Sequence, residues 1–517
     1  MMVPQNLWSM ATASAAGLWF ASGTHASDCS TSSIKNLSIP HGQVLDLSAT
    51  PVNDYNYQNS TLKFCNVTVT YTHPGLNDTI HVNVWLPSSN WNQRLQGAGG
   101  GGFSALDSVD VLEKAVAGGY AVVGTDAGHK LNSASSDSWS LDESGKVNMS
   151  LLKDFASVAL NDAAVVAKDV TRDFYGHGPR HSYWNGCSTG GRQGLMLAQR
   201  YPTAYDGILA NAPAINWPEF IVAEYWPQFV MNQMNTHPPP CVIDAITAAA
   251  VEACDGNDGV KDAVISEPSR CQFNASTTVN QKVNCSGQKV TITRNDALVV
   301  QKIWDGMRST NGSSLWYGLE KGAPLSGGLA ITTCSTPSNC TGAPFSISSD
   351  WIGQFILENP SADLTQMSHE QYQRIFEYSH KKYDPIIGTN NPDLSAFKQV
   401  GGKLVTWHGL ADQLIFPKGT EKYYKEVESL DPSVRDFYRL FLAPGVQHCK
   451  GGDGAIPVDP LESLVNWVEK GIAPETLLGE TEDGSRSREL CPYPLVSVYK
   501  GGNSRDKSSY TCEEASK

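Results

Sequence analysis

The segment YWNGCSTGGRQG, residues Tyr183–Gly194, holds a serine in a frame of small residues, Gly186-Cys187-Ser188-Thr189-Gly190. The apolar run HSYWNGC leads into it, and GGRQGLMLAQRYP continues from it with helical spacing until Pro202. A nucleophile at the end of a strand must turn sharply into a helix, and small neighbours let the two elements approach. The segment therefore predicts a nucleophile elbow at Ser188, with an ordinary turn rich in glycine and serine as the alternative.

A serine hydroxyl near neutral pH needs a histidine to accept its proton and a carboxylate to orient that histidine. In α/β-hydrolases these partners follow the serine in the order Asp or Glu, then His. The stretch TWHGLADQLIFP places Asp412 just after a strand, and APGVQHCKGG places His448 just after the next one. We predict a triad of Ser188, Asp412 and His448. His408 is interpreted as a structural hydrogen-bonding residue, and His129 is a weaker candidate for the site lining.

Two backbone regions are candidates for the oxyanion hole, which holds the negative charge that develops on the substrate. The N–H of Thr189 lies at the start of the predicted helix. The loop GAGGGGFS, residues Gly97–Ser104, follows an early strand, where α/β-hydrolases place their second donor, and we predict Gly100 and Gly101. A glycine-rich loop also suits a nucleotide phosphate, but the Lys-Ser or Lys-Thr of a P-loop does not follow it.

The succession of strand, turn, helix and strand predicts an α/β fold with a parallel sheet and crossover helices. The same succession recurs from GGKLVTWHG to the amphipathic helix in DPLESLVNWVEKG. The chain of 517 residues is too long for one ordinary core, so more than one domain is expected. Between these blocks the strand signals are sparse and six cysteines occur. We predict a discontinuous α/β-hydrolase core over residues 28–212 and 401–517, with residues 213–400 inserted as a lid domain.

The composition limits which classes of partner the protein can bind and which cellular compartment it is expected in. Hydrophobic residues make up 40% and charged residues 17% of the chain, as is typical of a globular protein. The formal net charge of −14 argues against nucleic acid and anionic membrane as partners, since both need clustered Lys and Arg. The twelve cysteines are even in number and lack the paired spacing of a zinc site, so an oxidising compartment is expected.

Secretion to the extracellular space is predicted on further grounds. Residues 1–27, with the small and apolar stretch LWSMATASAAGLWFASGTHAS, are interpreted as a signal peptide, although no Lys or Arg precedes Lys35. No other apolar run reaches the roughly 18 residues of a membrane span. Nine N-x-[ST] sequons are candidates for glycosylation: Asn36, Asn59, Asn66, Asn77, Asn148, Asn274, Asn284, Asn311 and Asn339.

The motifs GCSTGGRQG, HGLADQLI and QHCKGG together resemble the tannase and feruloyl esterase family, and GTDAGH and YDGILANAPA extend the resemblance over most of the chain. The cysteines beside the serine and the histidine are its specific part. The resemblance implies an α/β-hydrolase core with a large lid, secretion, and hydrolysis of esters of aromatic acids. It also implies a disulfide between Cys187 and Cys449.

That disulfide is physically reasonable, because Ser188 and His448 must come within hydrogen-bond reach, which brings their neighbours to the Cα separation of a disulfide, roughly 4.4–6.8 Å. Two unrelated free cysteines, or Cys187 itself as the nucleophile, are the alternatives. Cys254 and Cys271 flank an acidic loop and are predicted to pair. The pairing of the other cysteines stays open: Cys29, Cys65, Cys241, Cys285, Cys334, Cys340, Cys491 and Cys512.

The acidic loop CDGNDGVKDAVI, residues Cys254–Ile265, holds three aspartates. Carboxylates this close repel one another unless water or a cation separates them, and oxygen ligands suit Ca²⁺. The pattern alone fits a solvated acidic turn equally well, and it departs from an EF-hand. Its similarity to the family's lid calcium loop implies a structural Ca²⁺ bound by the side chains of Asp255, Asp258 and Asp262 and the carbonyls of Val260 and Val264.

The lid begins with the aromatic-rich stretch NWPEFIVAEYWPQF. Trp217, Phe220, Tyr225 and Trp226 either form a wall for an aromatic acyl group or fill the core of the lid, and the second interpretation is preferred.

The leading functional hypothesis is a secreted serine esterase that cleaves hydroxycinnamate esters such as ferulate. Its partner would be a small aromatic ester or a feruloylated saccharide of the plant cell wall. Gallate esters are the alternative substrates within the family. A serine peptidase shares the triad, and an inactive hydrolase fold used for binding is a third hypothesis, against which the intact residue set argues. No oligomeric state is predicted.

Overall fold

The computed structural model of the chain describes residues 28–515. The predicted signal peptide, residues 1–27, therefore lies outside the described residues. The strands are β1 Gln43–Tyr57, β2 Ser60–Thr72, β3 Ile80–Pro87, β4 Arg94–Ala98, β5 Ala121–Thr125, β6 His181–Cys187, β7 Gly207–Asn211, β8 Lys282–Cys285, β9 Gln288–Thr291, β10 Thr332–Thr336, β11 Asn339–Gly342, β12 Lys403–Gly409, β13 Tyr438–Ala443, β14 Ile456–Pro457, β15 Leu477–Glu480, β16 Ser487–Leu490, β17 Leu495–Tyr499 and β18 Tyr510–Glu514.

The α-helices alternate with the strands in the core and dominate the insertion. They are α1 Val109–Ala117, α2 Met149–Ala156, α3 Val158–Tyr175, α4 Thr189–Arg200, α5 Trp217–Ala223, α6 Trp226–Gln233, α7 Pro240–Cys254, α8 Arg294–Asp305, α9 Ser346–Asp350, α10 His369–Ile387, α11 Ser395–Gln399, α12 Pro417–Leu430 and α13 Pro460–Lys470.

One nine-stranded sheet organises the molecule, in the spatial order β1-β2-β3-β5-β4-β6-β7-β12-β13. From β5 to β13 in this order, neighbouring strands are parallel. The pairs β1–β2, β2–β3 and β3–β5 are antiparallel. Every residue of β5 and β7 is buried, as expected for parallel strands that are covered by helices on both faces. The predicted α/β fold class is confirmed.

The insertion lies between two strands that are neighbours in the sheet. β7 ends at Asn211 and pairs with β12, which begins at Lys403. Helices α5 to α11 and the hairpins β8–β9 and β10–β11 occupy the chain between them. Because β7 and β12 are adjacent and parallel, with Lys403 opposite Gly207, the insertion leaves the core at the carboxyl edge of the sheet and rejoins it at the opposite edge, where β12 begins.

Before β3 the structure has a long hairpin that the sequence patterns do not predict. Strands β1 and β2 pair from Gln43↔Thr72 to Tyr57↔Ser60. β1 is the edge strand, and none of its residues is fully buried. Its sequence QVLDLSATPVNDYNY therefore lacks the apolar alternation by which half-buried strands are recognised.

Six disulfides pair all twelve cysteines within the described residues. Cys254 joins Cys271, the pair predicted around the acidic loop, and Cys187 joins Cys449. The pairs that the sequence left open are Cys29–Cys65, Cys241–Cys285, Cys334–Cys340 and Cys491–Cys512. Each of these four closes a short chain segment within one part of the fold.

Seven of the nine sequon asparagines are exposed, and Asn66 and Asn148 are half-buried. The Asn148 side chain also caps α2 by accepting the N–H of Leu151. These two are therefore the poorest candidates for glycosylation. Among the described helices, no segment is both long and apolar enough to cross a lipid bilayer.

A buried cluster of one imidazole and three carboxylates lies beside β2 and the helices α2 and α3. His73 Nδ1 is 2.6 Å from Asp78 Oδ2, and His73 Nε2 is 3.2 Å from Asp162 Oδ2. Asp154 Oδ1 is 3.9 Å from His73 Nδ1. Within the described residues no Lys or Arg forms an ion pair with these carboxylates, so protons must balance part of their charge.

Burial and neighbouring carboxylates raise the pKa of Asp154 to about 7, and burial raises the pKa of Asp162 to about 6. Burial alone would lower the pKa of His73, but its hydrogen bond with Asp78 and the adjacent carboxylates leave that pKa raised. A folded state with these raised pKa values binds more protons than the unfolded chain above about pH 4. The contribution of the cluster to stability therefore falls as the pH rises from about 4 through 7.

We expect the substitution Asp154→Asn to weaken this pH dependence, because the amide is neutral at every pH. The drop in Tm between pH 5 and pH 8 should be smaller in the variant than in the unsubstituted protein. The matched control is Asp46→Asn, at an exposed position of β1, which should keep the original drop. An equal drop in all three proteins would contradict the assignment.

Candidate active site

Ser188 lies between the last residue of β6, Cys187, and the first residue of α4, Thr189. Its backbone has φ 63° and ψ −123°, and residues other than glycine rarely adopt a positive φ. The Ser188 N–H donates to the Asn211 carbonyl at 3.0 Å, and the Ala214 N–H donates to the Ser188 carbonyl at 3.1 Å. A serine held in a strained turn between strand and helix is the geometry of a nucleophile elbow.

The glycines around the serine are required by backbone contacts. A Cβ built on Gly186 would lie 2.5 Å from the carbonyl carbon of Gly190, and a Cβ on Gly99 would lie 2.6 Å from the Gly190 Cα. Real Cβ atoms do not approach backbone so closely, so β4, β6 and α4 meet at a point where no side chain fits.

The glycine-rich loop after β4 is fastened to the start of α4. The Gly190 N–H donates to the Gly100 carbonyl at 2.8 Å, and the Thr189 hydroxyl donates to the Gly102 carbonyl at 2.7 Å. The Gly100 N–H donates to Gln193 Oε1 at 2.8 Å. This contradicts the prediction of Gly100 as an oxyanion donor, because its N–H is already occupied by Gln193. Gly101 and Thr189 stay predictions.

The structure brings the predicted base and carboxylate together. His448 Nδ1 lies 2.7 Å from Asp412 Oδ2, and Asp412 Oδ1 accepts the N–H groups of Leu414 and Ile415 at 2.9 and 2.8 Å. His408 Nε2 lies 3.1 Å from the same Asp412 Oδ2, while His408 Nδ1 lies 2.9 Å from the Thr420 hydroxyl. Asp412 thus has a full set of donors, and His408 serves as one of them.

The buried Asp412 carboxyl stays ionised in this setting. Burial by itself would raise its pKa, but the charge of His448 and the hydrogen bonds from His408 and His448 hold the pKa well below its usual range. An ionised Asp412 fixes the His448 ring through Nδ1, which leaves Nε2 as the nitrogen available to a serine hydroxyl.

Ser188, Thr189 and His448 line one cavity of about 580 Å³, although no hydrogen bond joins Ser188 to His448 in the described structure. β6 delivers the serine, β12 the aspartate and β13 the histidine, and the carboxyl ends of these parallel strands share one edge of the sheet. The glycine-rich loop forms another part of the same lining.

The disulfide between Cys187 and Cys449 joins the loop of Ser188 to the loop of His448. Its Cα atoms are 6.1 Å apart, and its residues are 262 positions apart in the sequence. Both cysteines line the cavity next to Ser188 and His448. With Cys187 bonded in this way, no thiol competes with Ser188 as the nucleophile.

The aromatic residues at the start of the lid divide into two groups. Trp217 and Phe220, on α5, line the cavity. Tyr225 and Trp226 instead pack against the ring of Tyr372 on α10, at centroid separations of 6.2 and 6.1 Å. Tyr225 and Trp226 thus fill the lid core, as preferred, whereas Trp217 and Phe220 form part of the cavity wall.

His129 is not part of the cavity lining. Its ring is buried and stacks on Trp139 at a centroid separation of 4.5 Å. Burial lowers its pKa to about 4, so the ring is neutral at physiological pH. We therefore assign His129 to the core behind the site.

Sequence reasoning missed Gln193 and Glu224. Gln193 connects α4 to the glycine-rich loop, because its Nε2 also donates to the Ala105 carbonyl at 3.1 Å. The feature of the sequence that could have revealed Gln193 is its place in the GGRQG motif, five residues after the serine. Glu224 lines the cavity with Trp217 and Phe220, and its spacing of three and seven residues along the helix face was the available signal.

The acidic loop lies at a second place in the fold, beside the C-terminal strands. Asp262 Oδ2 pairs with Arg488 at 2.7 Å and with Arg486 at 3.3 Å, while Asp262 Oδ1 is buried and has no hydrogen-bond partner. Asp258 Oδ2 accepts the Ser266 hydroxyl at 2.6 Å, and Asp255 Oδ1 accepts the Asp262 N–H at 2.9 Å.

The donor chemistry of this loop fits a calcium ion in part. The carbonyls of Val260 and Val264 accept no hydrogen bond from another described residue, and Asp262 Oδ1 is an orphaned buried oxygen. As placed, the three carboxylates do not all converge within 4.8 Å among the described residues. The free oxygens favour an ion, and binding by all three side chains would require the loop to tighten.

Comparison with known proteins shows which protein family the chain belongs to. The model of the family described as tannase and feruloyl esterase matches residues 65–513. A protein from Arthroderma benhamiae named "Probable feruloyl esterase" is 45% identical over 465 residues, covering 88% of this chain and 86% of that protein. An Aspergillus flavus protein named "Probable feruloyl esterase B-1" is 33% identical, with 84% of this chain and 83% of that protein covered.

Solved structures share the fold. The tannin acyl hydrolase from Aspergillus niger superposes with a TM-score of 0.85 at 24% identity, over 94% of this chain and 95% of that one. Feruloyl esterase B from Aspergillus oryzae superposes with a TM-score of 0.77 at 27% identity, over 94% and 99%. With the family match across most of its length, the chain belongs to the tannase and feruloyl esterase family and is a carboxylic ester hydrolase.

Proposed function

We propose that this ester hydrolase uses Ser188, His448 and Asp412 to cleave esters of hydroxycinnamic acids such as ferulate. The observation that carries the proposal is the 2.7 Å hydrogen bond between His448 Nδ1 and Asp412 Oδ2 at a cavity that Ser188 also lines. The relative named a probable feruloyl esterase, 45% identical, supports the choice of acyl group.

In the proposed mechanism, Ser188 Oγ attacks the ester carbonyl while His448 Nε2 accepts its proton. The N–H groups of Thr189 and Gly101 stabilise the oxyanion, and the protonated His448 then donates to the oxygen of the leaving alcohol. A water molecule then attacks the acyl-enzyme while His448 Nε2 accepts its proton. The protonated His448 returns that proton to Ser188 Oγ as the ester bond to the serine breaks and the acid leaves. Asp412 holds the ring throughout and stabilises its positive charge.

Gallate esters remain the second candidate for the substrate. The likeness to the Aspergillus niger tannin acyl hydrolase, at 24% identity, supports the fold and not the substrate. The feruloyl esterase names of the more similar relatives favour hydroxycinnamates.

We also propose that the protein is secreted and glycosylated. Six disulfides and seven exposed sequon asparagines support this, because disulfides persist in oxidising compartments.

The substitution Ser188→Ala should lower kcat/KM for methyl ferulate by at least about 10⁴-fold, because it removes the nucleophile. Thermal melting should show that the variant remains folded. The control is Ser485→Ala, at an exposed position far along the chain, which should keep full activity. Retention of a tenth of the activity in Ser188→Ala would refute the assignment.

A substrate panel tests the reaction class and the acyl group. Methyl ferulate, methyl gallate and a peptide amide are compared at equal enzyme concentration. Preference for ferulate supports the proposal, and preference for gallate replaces it with the tannase alternative. Peptide cleavage without ester turnover would show a peptidase, and no turnover of any substrate would favour a binding protein.

The double substitution Cys187→Ala with Cys449→Ala should lower kcat by about 10–100-fold at a temperature where the protein stays folded. Loss of the tie lets the serine and histidine loops shift, and a displacement of about 1 Å can cost on the order of 100-fold. The control pair Cys334→Ala with Cys340→Ala removes a disulfide of the lid hairpin and should leave kcat unchanged. Full activity in the first variant would show the tie to be dispensable.

We propose that the acidic loop binds a structural Ca²⁺ through Asp255, Asp258 and Asp262 with the carbonyls of Val260 and Val264. The buried, unpartnered Asp262 Oδ1 supports this proposal. No residue of the loop lines the cavity that contains Ser188 and His448, so the ion would stabilise the fold and take no part in ester cleavage.

Removal of Ca²⁺ with a chelator should therefore lower Tm while the rate at low temperature changes little. Asp255→Asn keeps the acceptor for the Asp262 N–H but loses the charge, so its Tm should no longer respond to the chelator. Glu252→Gln, at an exposed position of α7, is the matched control and should respond as the original protein does. A Tm unaffected by the chelator would count against the ion.

A further inference from the structure

Glu224 is a buried carboxyl in the wall of the catalytic cavity. It follows the last residue of α5, and its N–H donates to the Phe220 carbonyl at 2.8 Å, so the helical geometry continues through it. Trp217, Phe220 and Glu224 are three and seven residues apart and therefore share one face of the helix. All three line the cavity that contains Ser188 and His448.

The carboxyl of Glu224 has no partner in the described protein that would explain its burial. The residue is 2% exposed, and its Oε2 makes no hydrogen bond. No ion pair joins it to a described Lys or Arg. Burying an unpaired carboxylate is costly, and an unsatisfied polar group is normally matched by water or a ligand.

A second polar group on the same helix face is also buried without a hydrogen-bond partner. The indole N–H of Trp217 is buried and has no hydrogen-bond acceptor, although indole nitrogens normally find one when they are buried. The aromatic wall that α5 presents to the cavity thus carries two unused polar groups.

Resting on the proposed function, we infer that Glu224 binds the ring hydroxyl of a phenolic acyl group and so selects hydroxylated over unsubstituted aromatic acids. Burial and the charge of Asp412 raise the pKa of Glu224 well above its usual value, so the carboxyl is neutral when it meets the substrate. A neutral carboxyl has one O–H donor and one carbonyl acceptor, and a phenol likewise donates and accepts. The phenol O–H donates to one Glu224 oxygen, and the Glu224 O–H donates to the phenol oxygen.

The test compares methyl 4-hydroxycinnamate with methyl cinnamate, which differ by the ring hydroxyl alone. The unsubstituted enzyme should prefer the hydroxylated ester by at least about tenfold in kcat/KM. Glu224→Leu should bring this ratio close to one by slowing the hydroxylated ester. Glu224→Gln, which keeps a donor and an acceptor, should retain an intermediate ratio and decides the matter if the leucine variant does not fold.

Glu219→Leu is the matched control, because Glu219 is on the same helix, outside the cavity lining, with a carboxyl oxygen 3.7 Å from His380 Nδ1. It should keep the original ratio. Equal losses on both esters in Glu224→Leu would show a structural role and overturn the proposal, as would an unchanged ratio in both Glu224 variants.

Binding of the free acids separates this inference from the proposed function. 4-Hydroxycinnamic acid should bind at least about tenfold more tightly than cinnamic acid by calorimetry, and Glu224→Leu should abolish the difference. If the enzyme binds with this preference but does not hydrolyse hydroxycinnamate esters, the binding site stands and the proposed reaction fails. If it hydrolyses them with no difference between the two acids, the site fails and the reaction stands.

Discussion

The contact between three backbone segments at Gly99, Gly186 and Gly190 is the constraint on which the site depends. A Cβ at Gly186 or Gly99 would lie 2.5–2.6 Å from backbone atoms of Gly190, so β4, β6 and α4 meet there without side chains. That closeness forces the chain at Ser188 into its left-handed turn and brings the glycine-rich loop against the start of α4. The hydrogen bonds of Gln193 then fix which loop N–H groups remain free.

Two buried carboxyls, Glu224 in the cavity wall and Asp412 behind His448, have pKa values shifted in opposite directions because their surroundings differ. Asp412 accepts hydrogen bonds from two histidines and two backbone N–H groups, so its pKa is held low despite complete burial. Glu224 has no such donors, and burial raises its pKa. In the mechanism that we propose, the ionised residue orients the base and the neutral one meets the substrate.

The sequence was sufficient to predict which residues lie together at one edge of the sheet. Ser188, Asp412 and His448 each follow an apolar strand, and parallel strands put their carboxyl ends on one edge, so their meeting in the fold was foreseeable. The sequence was insufficient for the hairpin of β1 and β2, whose edge strand has no apolar face. It also could not separate Gly100 from Gly101, because the difference lies in one side-chain hydrogen bond from Gln193.

The amino-acid sequence by itself determined the α/β class and the sharp turn at Ser188, because strand and helix periodicity and the glycine frame are local properties. Tertiary structure alone decided which aromatic residues face the cavity and which fill the lid, since Trp217 in WPEF and Trp226 in WPQF have nearly the same local sequence. It also decided that Glu224 is buried without a partner beside the catalytic groups. Burial and charge balance depend on residues hundreds of positions apart, and only the folded chain brings those together.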